Sequence, residues 1–248
     1  MCGRFLLVAS AEELRARFGF SGEGWLSPPP RYNIAPPHPI MIVRRGRDGP
    51  QPALVRWGLV PTYVKDPTGF RLLVNGRAET VATVGAFRGA IRHRRCLVPA
   101  TGYYAWRRQA GGQRQPFLVR PRAGGVLAMA GLWETWAGAD GSEIDSAVIL
   151  TTAANDALAA IHHRMPAILA PADFALWLGG DGRETEAAVA LLRPAASDLL
   201  EAIPVGQRVN AADNDDPGLI APIYLAAEEA AATAKRARAA GDRQLKLL

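Results

Sequence analysis

The sequence predicts a single α+β domain, and three observations lead there. Short stretches of strand character recur between helix-forming segments, no segment repeats, and no linker of shifted composition divides the chain. At 248 residues, 49% hydrophobic and 21% charged, the chain is long and apolar enough to bury a full core.

Taken in order, Ser10-Ala-Glu-Glu13 is a capping box and opens a short helix through Phe18. The Pro/Gly-rich segment from Gly19 to Pro39, with Pro28-Pro-Pro30 and Ala35-Pro-Pro37, reads as a loop wrapping the domain. Ile40 to Arg45 and Ala53 to Leu59 read as a hairpin about Gly46 to Gly49. A strand over Arg71 to Val74 leads into Asn75-Gly-Arg-Ala-Glu79, and a helical pattern broken near Gly85 and Gly89 runs from Glu79 to Arg94. Strands follow at Cys96 to Pro99, Gly102 to Arg107 and Pro116 to Arg120, the last two joined at Gly111-Gly112. Val126 to Trp136 and Ile144 to Thr152 form a further pair about Asp140-Gly141. Asn155 caps a helix to Ile161, Met165 to Leu169 is a strand, and helices cover Ala172 to Leu178 and Glu184 to Leu192. The folded unit is expected to span residues 1–223. An alanine-rich basic tail or helix, residues 224–248, carries Lys235, Arg236, Arg238, Arg243 and Lys246.

Composition narrows the function classes. No 18-residue apolar run and no charged-then-apolar leader exist, so a secreted or membrane-spanning chain and a membrane partner are not expected. Two cysteines, Cys2 and Cys96, give no disulfide framework and fit a reducing cytoplasm. Without Cys-x-x-Cys or paired-histidine spacing, neither a metal nor another cofactor is expected. The net charge is +6. Between Thr80 and Trp133 there is no Asp or Glu, whereas Arg88, Arg92, Arg94, Arg95, Arg107, Arg108, Arg114, Arg120 and Arg122 lie there. Such a stretch suits either a polyanion partner or a solvated basic surface.

The first residues carry reactive chemistry. Removal of Met1 leaves Cys2 with an α-amine that titrates near ~8 and a thiol near ~8.5, so each has a nucleophilic fraction at neutral pH. That pair can attack an aldehyde twice, through an imine to a thiazolidine, or act as an N-terminal nucleophile and base on a peptide bond. Asn75, Arg77, Thr151, Thr152, His162 and Arg164 fall at strand or loop ends. Gathered around one nucleophile, such groups would bind an oxyanion or phosphate and move protons.

Met1-Cys-Gly-Arg-Phe5, Arg31-Tyr-Asn-Ile-Ala-Pro36, Trp57-Gly-Leu-Val-Pro61, Asn75-Gly-Arg-Ala-Glu-Thr80, Arg95-Cys-Leu-Val-Pro99, Ala130-Gly-Leu-Trp-Glu134 and His162-His-Arg-Met-Pro166 occur in one order. Together they resemble the SOS response-associated peptidase (SRAP) family, which shields abasic sites in single-stranded DNA by a covalent crosslink. The resemblance covers roughly Met1 to Ile223. It implies a compact fold with a curved, largely antiparallel or mixed β-sheet core, peripheral helices and a basic groove for single-stranded DNA. It also implies a monomer in the bacterial cytoplasm, associated with the nucleoid.

By the same resemblance Cys2 is the nucleophile, Asn75 positions its amine and the sugar, and His162 hydrogen-bonds the opened sugar or donates a proton. Gly3 lets the phosphodiester come close, Arg4, Arg77, Thr151 and Arg164 match phosphate contacts, and Trp106 could stack on DNA. One position departs. The family pattern Gly-Tyr-Tyr-Glu-Trp is here Thr101-Gly-Tyr-Tyr-Ala-Trp106, so Ala105 stands where a carboxylate serves as general acid/base. Three readings stay open: an engineered trap, a paralogue that binds DNA and reacts slowly, or replacement by a neighbouring acid, Glu79 or Glu134. The expected activity is therefore a covalent abasic-site sensor impaired at Ala105. The alternatives are a non-covalent DNA-binding module and a cysteine peptidase limited to self-processing.

Overall fold

Local signals and tertiary pairing share the work of building the chain. The computed structural model of the protein describes residues 3–20, 28–109, 111–180 and 182–225. After strand β1 (Phe5–Leu7), Ser10 caps helix α1 (Ala11–Phe18) in the expected box, with Glu13 bonding back to the Ser10 amide at 2.7 Å. Gly19 ends the helix at φ 68°, a conformation a residue with a Cβ rarely adopts. Strands β2 (Arg31–Ile34), β3 (Pro39–Arg45), β4 (Pro50–Trp57) and β5 (Asn75–Arg77) come next, then helices α2 (Gly85–Arg88) and α3 (Ala90–His93). Strands β6 (Arg95–Ala100), β7 (Gly102–Arg108), β8 (Arg114–Pro121), β9 (Leu127–Ala137) and β10 (Glu143–Ala153) make the middle of the chain. Helix α4 (Asp156–Ala159), strand β11 (Arg164–Pro166), helices α5 (Phe174–Leu178) and α6 (Thr185–Ala190), and strand β12 (Leu200–Pro204) complete it.

Two sheets result. One is antiparallel, in the order β12-β8-β7-β1-β2. In the other, β10 pairs with β9 on one side and, in parallel, with β4 on the other. The order β10-β4-β3-β6-β9 therefore closes on itself, which removes free edges, while β5 and β11 extend along the far half of β10. This is the single α+β domain with a curved, mixed sheet core that the sequence predicts.

The main core fills the closed sheet and the space between the sheets. Trp57 and Trp177 are fully buried there, and their indole N–H groups reach Val74 O at 2.9 Å and Cys96 O at 2.8 Å. Cys96 is a free, fully buried thiol whose pKa burial pushes up, so it is inert. Arg95, 2% exposed, donates to the Ile91 and Arg92 carbonyls of α3 and to Trp177 O and Gly179 O at the end of α5. This arginine of the acid-free stretch is thus a helix cap inside the core.

A smaller apolar cluster (Leu6, Tyr104, Leu118, Val205, Val209 and Leu219) lies on the other face of the antiparallel sheet, under a strap formed by residues 205–220. Asn33, 0% exposed, ties the strap down: its Nδ2 lies 2.9 Å from Ala211 O and 2.7 Å from Asn214 O. The Asp215 carboxylate accepts from the Tyr32 and Asn33 amides at 2.5 and 3.0 Å and pairs with Arg31.

Three expectations need correction. The predicted loop from Gly19 to Pro39 contains β2, held by its ladder to β1 and by Asp215 rather than by propensity; residues 21–27 lie outside the described residues. The strand placed at Arg71 to Val74 begins instead at Asn75, with Leu73 making only a bridge to Leu59. Parallel pairing with β10 decides this, and it needs Gly76, where a Cβ would sit 2.8 Å from Leu150 Cδ2. Strands β1 and β12 were not anticipated. The tail from residue 226 onward lies outside the described residues.

Candidate functional site

The β7–β8 hairpin sorts its residues by strand alternation. Tyr103 and Ala105 face the main core, whereas Tyr104 and Trp106 face the smaller cluster. The Trp106 N–H donates to Asn210 Oδ1 at 2.8 Å, fixing the ring against the strap. Gly111 and Gly112, at φ 85° and 83°, turn the chain, and the register sets Arg108 directly opposite Arg114.

Two cavities meet at Trp106 and Arg114. The larger, about 710 Å³, is lined by Gly3, Arg4, Trp106, Gln113, Arg114, Gln207 and Asn210. The smaller, about 430 Å³, lies between Trp106, Arg107, Arg108 and Arg114 and the segment from Ala159 to His163. No aspartate or glutamate lines either one among the described residues.

A second set of candidates follows the β5–β10–β11 ladder, where Asn75 pairs with Ile149, Arg77 with Thr151, and Arg164 with Ala153. Asn75 is half-buried and Arg77 exposed. Thr151, 1% exposed, donates its hydroxyl to Gly76 O at 3.2 Å. Arg164 grips Glu79 with two bonds of 2.6 and 2.9 Å and donates to Thr151 O at 2.5 Å. This pairing holds the Glu79 carboxyl below its ordinary pKa.

His162 joins the two sets, since it lines the smaller cavity and its Nδ1 lies 3.0 Å from the Arg164 amide nitrogen and 3.1 Å from the Arg164 carbonyl oxygen. Burial first, and nearby positive charge including His163 and Arg114, push its pKa down against the raising effect of the Arg164 backbone, so the net direction favours the neutral ring at pH 7.

Of the expected site residues, Gly3, Arg4 and Trp106 line the larger cavity and His162 the smaller, while Asn75, Arg77, Thr151 and Arg164 share the ladder. Arg4 also braces the strap, donating to Asn33 Oδ1 at 2.8 Å and to Val209 O at 2.6 Å. Cys2 lies outside the described residues. Ala105 pairs with Phe117. The two acids weighed as replacements line neither cavity: Glu79 is held by Arg164, and Glu134, 6% exposed, is paired with Arg94. Sequence reasoning missed Gln207 and Asn210, which no local pattern marks. It could have found the Arg108–Arg114 pair by counting outward from Gly111-Gly112.

The sequence profile of the family described as SOS response associated peptidase (SRAP) matches residues 1–212. The chain is 32% identical over 223 residues to the abasic site processing protein YoqW of Bacillus subtilis, covering 89% of this chain and 99% of that one. It is 30% identical over 267 residues to the abasic site processing protein HMCES of Gallus gallus, covering 91% and 79%. A crystal structure of a protein from Bacteroides thetaiotaomicron superposes with a TM-score of 0.79 at 26% identity, over 90% of this chain and all of that one.

Proposed function

The chain belongs to the SOS response associated peptidase family, and on that premise we propose that it senses abasic sites in single-stranded DNA and captures them through Cys2 once Met1 is removed. The capture step is a condensation. The Cys2 amine adds to the aldehyde carbon of the ring-opened sugar and expels one water to give an imine. The thiol then adds to that carbon, its proton passing to the nitrogen, and closes a thiazolidine.

The observation that carries this reading is the acid-free lining of the two joined cavities, with Arg4, Arg107, Arg108 and Arg114 around the indole of Trp106. Guanidinium groups neutralise phosphates and an aromatic face stacks unpaired bases, so the pairing suits a single strand. Neutral His162, lining the smaller cavity, would hydrogen-bond the opened sugar. Asn75 and Arg77 at the ladder would position the sugar and its flanking phosphate. Ala105 cannot transfer a proton, so imine formation proceeds without the positioned acid that the family pattern supplies. Loss of such a group slows its step by about 10²–10⁴-fold.

A non-covalent DNA-binding module is the second reading, favoured by Ala105 itself. The test incubates the protein, its Met1 state fixed by intact mass, with single-stranded DNA carrying one abasic site, followed by a denaturing gel. A shifted band that Cys2→Ala abolishes supports covalent capture. A band seen only with Ala105→Glu identifies a binder disabled in its chemistry. Salt-insensitive association, or none, overturns both.

A further inference from the structure

The larger cavity differs in chemistry from the smaller one. The smaller is walled by Arg107, Arg108, Arg114 and His162, which suits phosphate. The larger sets three carboxamides, Gln113, Gln207 and Asn210, beside Trp106, with Arg4 and Arg114 as the only cationic side chains among the described residues that line it. A phosphate has only acceptors, so it would use the N–H groups of these carboxamides and leave the remaining lone pairs of their oxygens unmatched. A base edge carries donors and acceptors side by side, and a carboxamide matches that alternation. The volume, about 710 Å³, falls in the range of ordinary small-ligand pockets.

The carboxamides are also oriented. The Trp106 indole N–H donates to Asn210 Oδ1 at 2.8 Å, Asn210 Nδ2 donates to Gln207 Oε1 at 2.6 Å, and Gln207 Nε2 donates to the Arg114 carbonyl at 3.1 Å. This relay runs from the indole through the strap to the hairpin and fixes which end of each amide is oxygen. Each amide of the relay has capacity for one further donor and one further acceptor contact.

We propose that this cavity is a nucleobase pocket that reads the base beside the lesion, with adenine as its best occupant; the proposal rests on the DNA reading above. A purine covers more of the indole than a pyrimidine does. On the Hoogsteen edge adenine offers N6–H beside N7, the pair one carboxamide matches, whereas guanine offers two acceptors there. Gln207 is the base-reading group, Asn210 positions both it and Trp106, and Trp106 is the platform. Capture of abasic sites would then depend on sequence context.

The test uses fluorescence anisotropy with single-stranded oligonucleotides containing one tetrahydrofuran abasic analogue, which has no aldehyde and so isolates binding. The flanking bases are all A, C, G or T, and titrations run at several salt concentrations with the full chain and with Gln207→Leu. Gln207 is exposed, so this change leaves the core intact. The expected result is about tenfold tighter binding in the adenine context than in the thymine context. That preference should vanish in Gln207→Leu while the salt dependence stays the same. Salt-dependent binding equal in all four contexts, or a preference that survives Gln207→Leu, overturns the pocket and leaves the DNA reading standing. No binding in any context overturns both.

Discussion

The β5–β10–β11 ladder and the β7–β8 hairpin both present arginines, and the two use them in opposite ways. On the ladder, Arg164 has a side chain 13% exposed, bonded through its two terminal nitrogens to Glu79 and the Thr151 carbonyl. On the hairpin, Arg108 and Arg114 face each other in the register, both exposed, with no carboxylate lining the cavities beside them. Like charges directly opposite on a sheet are destabilising, by something on the order of 0.2–1 kcal/mol. The charge of Arg164 serves the fold; charge on the hairpin is held against it and is open to a ligand. Counting arginines along the sequence cannot separate the two cases.

The largest effect expected concerns a charge that neither region supplies. Ala105→Glu should raise the rate of adduct formation by about 10²–10⁴-fold in a time course on denaturing gels. An unchanged rate would mean that the cationic groove and His162 suffice without an acid there. Next is the ladder: Arg164→Ala leaves the Thr151 carbonyl without its donor and frees Glu79. Urea unfolding should report a loss of about 1–3 kcal/mol, partly restored by Arg164→Lys.

Hairpin variants should behave in the opposite sense. Arg108→Ala with Arg114→Ala should gain up to about 1 kcal/mol of stability from the relieved repulsion. The same double variant should reduce the salt slope of DNA binding by about 0.7 for each phosphate it no longer neutralises. If it loses stability instead, or keeps the slope, the contrast between the regions fails.

The smallest effect is a pH dependence. Because the folded pKa of His162 lies below its ordinary value near ~6.5, the stabilisation from the neutral ring is complete above that value and fades as pH falls through the folded pKa. Unfolding midpoints between pH 7.5 and 5 should therefore fall more steeply for the natural chain than for His162→Asn.

Much of the fold was legible where local chemistry decides. The Ser10–Glu13 box, the glycine turns at Gly111-Gly112 and Asp140-Gly141, and the apolar runs of β6 to β10 were each placed within a few residues. Strands β1, β2 and β12 were not, because each is held by a partner remote in sequence; β2, for example, depends on Asp215. Asn75 was assigned to a strand's end rather than its start, since only the close approach permitted at Gly76 extends β5 along β10. At the site, the motifs located Arg4, Trp106 and His162 on the cavities. They could not reveal that Thr151 is buried or that Arg164 is already paired, for both facts belong to the ladder rather than to either motif.

The strap also ties residues near the start of the chain to residues past the end of the family profile. The family profile stops at residue 212, yet Asn214 and Asp215 supply bonds that hold Asn33, Tyr32 and Arg31, and Ile223 still donates to Pro204 O at 2.9 Å. A polypeptide truncated at 212 keeps every residue of the match but strips β2 of the Asp215 carboxylate and Asn33 of its bond to the Asn214 carbonyl. One truncated at 223 keeps all of these ties. For this protein the bonds that tie the fold together run past the end of the matched profile.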